Sequence, residues 1–313
     1  KQSFETPDSV RVRVDNRAGP VWLRARPGTT TEVDVSAHNL SAELLEYVRV
    51  EHDQHDKVHR VVVDVPPDLP GWSARGAQIG GHRLRVMVPG LGDLLRSSLG
   101  GYNQVQVTIS VPEGAALDVV TASGDVTADG RFGDSTIETR SGHVQLGSID
   151  GNLSVKSQSG DVNVRSVSGD ARVNTASGDV RCGPLGAAQV RTASGDVEVG
   201  ATTGLLSVQT ASGDVVAGQV GTGCDLKSAS GDQRVESLVS GRAVLETVSG
   251  DITVGIARAS LLAVDAETVS GDLTSEIDLD QDRPGEGWDG DGPRVELRAR
   301  TVSGDLHIQR APR

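Results

Sequence analysis

The tripeptide Ser-Gly-Asp occurs ten times in this 313-residue chain, and nine of the copies keep one period. Counted on the glycine, Gly124, Gly142 (in a Ser-Gly-His variant), Gly160, Gly178, Gly195, Gly213, Gly231, Gly250 and Gly271 follow at intervals of 18, 18, 18, 17, 18, 18, 19 and 21, and Gly304 follows after 33. A fixed period of this length means that one supersecondary unit is copied many times, each copy stacking on the next. Such a unit cannot bury its apolar face alone, so the repeat restricts the chain to a solenoid.

The residues around each glycine give the unit its form. Two and four positions after the glycine stand pairs such as Val144 and Leu146, Val162 and Val164, Val197 and Val199, and the position between is polar in most coils. This period of two marks a strand with one buried face. Val216 interrupts the polar column and Gln233 the first apolar one. Five positions before the glycine runs a second apolar column, from Val119 and Ile137 to Leu226 and Leu245; three before it runs a hydroxyl column, from Thr121 and Thr139 to Thr247 and Thr301. Strand, turn and strand therefore recur, with equivalent residues stacked at the ~4.8 Å spacing of neighbouring strands. Further glycines at Gly133, Gly151, Gly169, Gly186, Gly204 and Gly241 mark a second corner half a period away. The expectation is an all-β, single-stranded parallel β-helix of about 18 residues per coil, two-sided, with Ser and Asp holding the corner through nearby backbone N–H groups. A triangular coil of three shorter sides has the same length.

Composition agrees. Aromatic residues make up 2% of the chain, too few for a globular core of this size but enough for a narrow interior of Val, Thr and Ala. The net charge of −13 argues against nucleic acid, whose binding rests on neutralised phosphates. No apolar stretch approaches the ~20 residues of a membrane-spanning helix. No apolar leader is visible in Lys1 to Arg17, which gives a cytoplasmic location as the expectation.

Residues 1–114 lack the repeat. They alternate like strands at Val10 to Val14, Glu32 to Val35, Leu84 to Val88 and Val105 to Ile109, with one short helix expected over Ser41 to Tyr47 and loops over 68–81 and 89–101. This region is expected to cap the open edge of a solenoid spanning 115–313, and to hold degenerate coils of its own. An acidic insertion at 278–293, with Asp280, Asp282, Glu286, Asp289 and Asp291, interrupts the period. The last Ser-Gly-Asp then leads to Arg310, Pro312 and Arg313, expected to blunt the final edge.

The repeated Thr-Ala-Ser-Gly-Asp-Val, as in Thr175 to Val180, Thr192 to Val197 and Thr210 to Val215, resembles a bacterial β-solenoid family labelled "putative adhesin", a domain of unknown function. The resemblance covers about 115–310, and the strand–turn–strand of 9–40 is similar to that family's opening. It implies a parallel β-helix, right-handed, with no established catalytic residues.

Candidate chemistry is sparse. The Asp column, including Asp161, Asp179, Asp196, Asp214, Asp232 and Asp251, suggests a row of weak Ca²⁺ or Mg²⁺ sites, set against a corner residue serving local N–H groups. His52, His55 and His59 could share one helical face as metal ligands, set against a solvated turn. Asp289-Gly290-Asp291-Gly292 lacks the remainder of a calcium loop, and Trp288 is the one candidate binding aromatic. Cys182 and Cys224 lie too far apart in the stack for a disulfide and are expected as small buried hydrophobes. No nucleophile elbow, phosphate loop or zinc spacing occurs. The expectation is a non-enzymatic scaffold or adhesin-like protein without cofactor, presenting a regular face to a protein or glycan partner. A self-associating, cytoskeleton-like polymer is the first alternative and a carbohydrate-active β-helix enzyme the second.

Overall fold

The structure, a computed structural model, describes residues 1–17, 19–38, 42–66, 104–258, 260–277 and 292–312. Among the described residues the strands form two long sheets, of 14 and 13 strands. Each coil gives one strand to each sheet, so the solenoid is two-sided, as the half-period glycines led us to expect, and not triangular. From residue 116 to 256 the coils stack in chain order, all parallel. Val144, Val162, Val180, Val197 and Val215 lie in register beneath one another. On the facing sheet Val119, Ile137, Val155, Val173, Val190 and Val208 do the same. These side chains are all but fully buried between the sheets, each contributing about 1.5–3 kcal/mol through apolar area removed from water.

The Ser-Gly-Asp corner needs its glycine for two reasons. Gly195 has φ 126°, a region that L side chains rarely enter, and a Cβ there would meet the carbonyl oxygen of Gly178 in the coil below. The hydroxyl column locks the corner locally: Thr175, Thr192 and Thr210 donate to the carbonyls of Ser177, Ser194 and Ser212, each at 3.0 Å. Aspartate acts between coils, which corrects the expected local role. Asp161 Oδ1 accepts the backbone N–H of Asp179 at 3.0 Å, Asp179 that of Asp196 at 3.0 Å, and Asp196 that of Asp214 at 2.9 Å. The carboxylate supplies an acceptor where the chain turns out of the strand ladder, so the backbone stays paired around the bend. At the opposite corner Asp134 and Asn152 do the same for Asn152 and Asp170, at 2.7 and 3.0 Å.

Both ends depart from chain order. Among the described residues before 115, two coils form as well as a cap. Ser9–Asn16 and Val21–Arg26 form a coil directly against the 116–132 coil, while Val58–Val65 and Gln104–Pro112, later in sequence, form the coil outside it. Antiparallel strands then close the end: Arg49–His55 on one sheet, Thr30–His38 and Gln2–Glu5 on the other. A two-residue turn with φ 48° at Asp56 and 63° at Lys57 joins the cap strand to Val58–Val65. That geometry matches a tight hairpin, so the strand following the cap must lie next to it, outside the coil already laid down.

The other end mirrors this. Arg294–Ser303 lies between Gly241–Glu246 and Leu261–Ser270, and Leu306–Arg310 lies between Ile252–Ile256 and Leu273–Ser275. The segment 294–310 is thus intercalated, and among the described residues the outermost coil is 261–277. This overturns the expectation that Arg310 and Pro312 blunt the final edge. Two physical reasons favour the exchange. The intercalated strand presents Leu306 and Ile308 to the interior, both buried, where the outer strand has an exposed Leu273 and Ser275. Intercalation also seats Arg300 between Glu246 and Glu267, register partners on either side; stacking in chain order would set Glu246 beside Glu267. The expected helix is a 3₁₀ turn, Ala42–Tyr47. Leu84 to Val88 and the loops at 68–81 and 89–101 fall outside the described residues.

Candidate functional surface

The Asp column is an unbroken series. It starts where Asp125 accepts the N–H of His143, passes through the His143 Nδ1 contact with the Asp161 N–H, and ends where Asp251 accepts from Asp305 and Asp305 from Asp272. One oxygen of each engaged carboxylate is committed to backbone, which is a structural task. Among the described residues no three His, Cys, Asp or Glu side chains converge as a metal set.

The three histidines sit on a hairpin, not a helix. His55 is exposed beside Asp56. His59 is buried, at 3% exposure, and occupies an inward position that elsewhere holds valine. Its Nδ1 lies 3.1 Å from His52 Nε2, and the two rings stack at 5.4 Å. Phe4, from the opposite sheet, packs on His52 at 4.8 Å. These rings cover the interior where the solenoid is capped, so His59 belongs to the core and the half-buried His52 lies over it, while His55 stays on the solvated turn. Trp288 and Asp289 to Asp291 lie outside the described residues. Cys182 and Cys224 are free, buried thiols whose pKa burial pushes up to about 12, with Asp225 adding to the effect at Cys224.

A groove that the sequence reading missed lies on the outer surface where the second sheet meets the Ser-Gly-Asp corner. It is an open groove of about 380 Å³. Its floor is Thr121, Thr139 and Ser157; its walls are Arg17, Glu138, Arg140, Lys156 and Gln158. Thr121 Oγ1 donates to the Gly124 carbonyl at 2.9 Å, and Thr139 Oγ1 accepts the Gly142 N–H at 3.1 Å. The Ser157 hydroxyl oxygen is buried without a partner. Lys156 Nζ binds Glu138 at 2.7 Å and Arg17 Nε binds Asp15 at 3.3 Å, whereas Arg140 has no ion pair among the described residues. The signal was present: two positions before the glycine most coils have Ala or Val, but here they have Arg140 and Gln158.

With the fold on the page, the class of protein is defined: a β-solenoid with corner glycines and between-coil carboxylates. The sequence pattern of the Toastrack DUF4097 family matches residues 81–237 and 188–309, and the chain belongs to that family. No curated protein matches it. Among solved structures, a "putative adhesin" from Bacteroides fragilis is similar at 8% identity over 98% of this chain and 95% of its own, with a TM-score of 0.37. A "putative adhesin" from Parabacteroides distasonis is similar at 10% identity, 98% and 95% coverage and a TM-score of 0.34. A "putative cell adhesion protein" from Clostridium sporogenes gives 9%, 99% and 98%, and 0.24.

Proposed function

We propose that this protein is a non-enzymatic binding rod whose outer faces engage a protein or glycan partner. One observation carries the reading: inward columns hold one kind of residue while the adjacent outward columns vary. Ile137, Val155, Val173, Val190 and Val208 point inward in successive coils; their neighbours Glu138, Lys156, Asn174, Arg191 and Gln209 point outward. A fixed frame carrying a varied surface suits recognition. A polymer built by repeated end contacts needs no such variation, and the antiparallel cap at the N-terminal end supports a single rod over end-to-end growth. The test is to apply the full chain to a glycan array and to a panel of polysaccharide turnover assays. Saturable binding without turnover supports the proposal; turnover of any polysaccharide, or filaments at micromolar protein, would overturn it.

A further inference from the structure

We infer that the groove framed by Arg17, Arg140 and Lys156 binds an acidic polysaccharide, one carrying carboxylates or sulfates at regular intervals. The inference rests on the binding-rod reading and names a ligand class and a place for it. Arg17 and Arg140 occupy the same column of the corner: Arg17 follows Asn16, whose register partner is Thr121, and Ser141, next to Arg140, bonds the Ala122 carbonyl. Their backbones are therefore two coils apart, about 10 Å, with only the small Ala122 between them. This spacing sets the two arginines along the rod axis, on one groove that both of them line. In a polysaccharide with acid groups at regular intervals, groups two sugars apart lie at a comparable interval, and each can take a bidentate bond from an arginine.

Electrostatics agree. The chain carries a net charge of −13, yet three cations line this groove against one carboxylate, Glu138. Glu138 is held by Lys156 and Arg17 by Asp15, which leaves Arg140 as the groove's cation without an ion pair among the described residues. The lining suits sugar rather than peptide. The Thr121, Thr139 and Ser157 hydroxyls are buried and shape the floor, while the exposed Gln158 amide on the wall is a partner for sugar hydroxyls. The groove offers no apolar pocket for a side chain, and it sits on paired interior strands rather than at a sheet edge where a peptide could add a strand.

The experiment is calorimetric titration of the full chain with a heparin-derived hexasaccharide, an oligogalacturonate of the same length, neutral maltohexaose and poly-glutamate. The variants are Arg140→Gln and Arg17→Gln, with Arg234→Gln, exposed on the facing sheet away from the groove, as control. The expected result is saturable binding of one or both acidic oligosaccharides, weakened by added salt and by about tenfold in each groove variant, as loss of a charge-assisted hydrogen bond implies, and unchanged in the control. A sulfate preference or a carboxylate preference identifies the acid group. Equal binding by the groove variants would overturn the site while leaving the binding rod intact. Binding of poly-glutamate alone, or of none of the four probes, would overturn the ligand class.

Discussion

The middle of the rod and its two ends obey different rules. Between residues 116 and 256 each coil lies on the one before it in sequence, and the period alone sets the register. At each end a later segment takes the place that simple counting assigns to an earlier one. In the middle every coil is nearly equivalent, so chain connectivity decides who neighbours whom. At the ends connectivity competes with pairing quality, and pairing wins: the hairpin at Asp56–Lys57 places Val58–Val65 beside the cap, and Arg300 between two glutamates holds 292–312 inside the 261–277 coil.

The largest effect should come from ending the chain after residue 293. In a stack laid down in order this removes one coil. Here it removes the coil that links 261–277 to the rest, so hydrogen exchange should show protection lost across 261–277 as well as in the deleted part. Retained protection at Leu262 and Val264 would break the comparison. Next in size is the corner. Gly195→Ala should cost roughly 2 kcal/mol or more from the strained φ and the collision with the Gly178 carbonyl. Gly200→Ala, in the same coil without positive φ, should cost less than about 1 kcal/mol, as ordinary surface changes do. Urea melts compare the two, and equal losses would remove the special status of the corner.

The buried thiols give a pH dependence located in the middle. Both fold with a pKa raised from 9.0 to about 12, so the unfolded chain releases these protons first as the solution becomes alkaline. Their contribution is complete below about pH 9 and is lost as pH rises towards 12. A Cys182→Ala, Cys224→Ala double variant should show a shallower alkaline loss of melting temperature, and an identical profile would contradict the burial. The C-terminal charges have a smaller effect. Arg300→Glu sets a third carboxylate between Glu246 and Glu267 and should cost about 1 kcal/mol, since exposed pairs of this kind are weak. Adding Glu246→Lys and Glu267→Lys should restore the stability.

Much of this was legible in the residues. The Val and Thr columns carry the register, and the half-period glycines carry the two-sided coil. What escaped is what the period does not record. Asp appears at the same place whether it bonds its own corner or the next coil, so only the structure distinguishes the two. The intercalated end depends on Ile308 against Ser275 and on Glu246 meeting Arg300 rather than Glu267, comparisons between segments far apart in sequence. His59 reads as polar and sits in the core because the cap brings Phe4 and His52 over it. The groove was visible only as two large residues in an Ala and Val column, and its meaning depends on Arg17, which lies outside the repeat.

The exchange of coil order is tested most directly by disulfide trapping at the C-terminal end. Adjacent strands place Cα atoms within the 4.4–6.8 Å range that a disulfide spans, and strands two apart do not. Paired cysteines at Glu246 and Arg300 should cross-link under mild oxidation, with native Cys182 and Cys224 buried and silent, while a pair at Glu246 and Glu267 should remain reduced. Cross-linking of Glu246 with Glu267, and none with Arg300, would mean that the coils stack in chain order and would contradict the account.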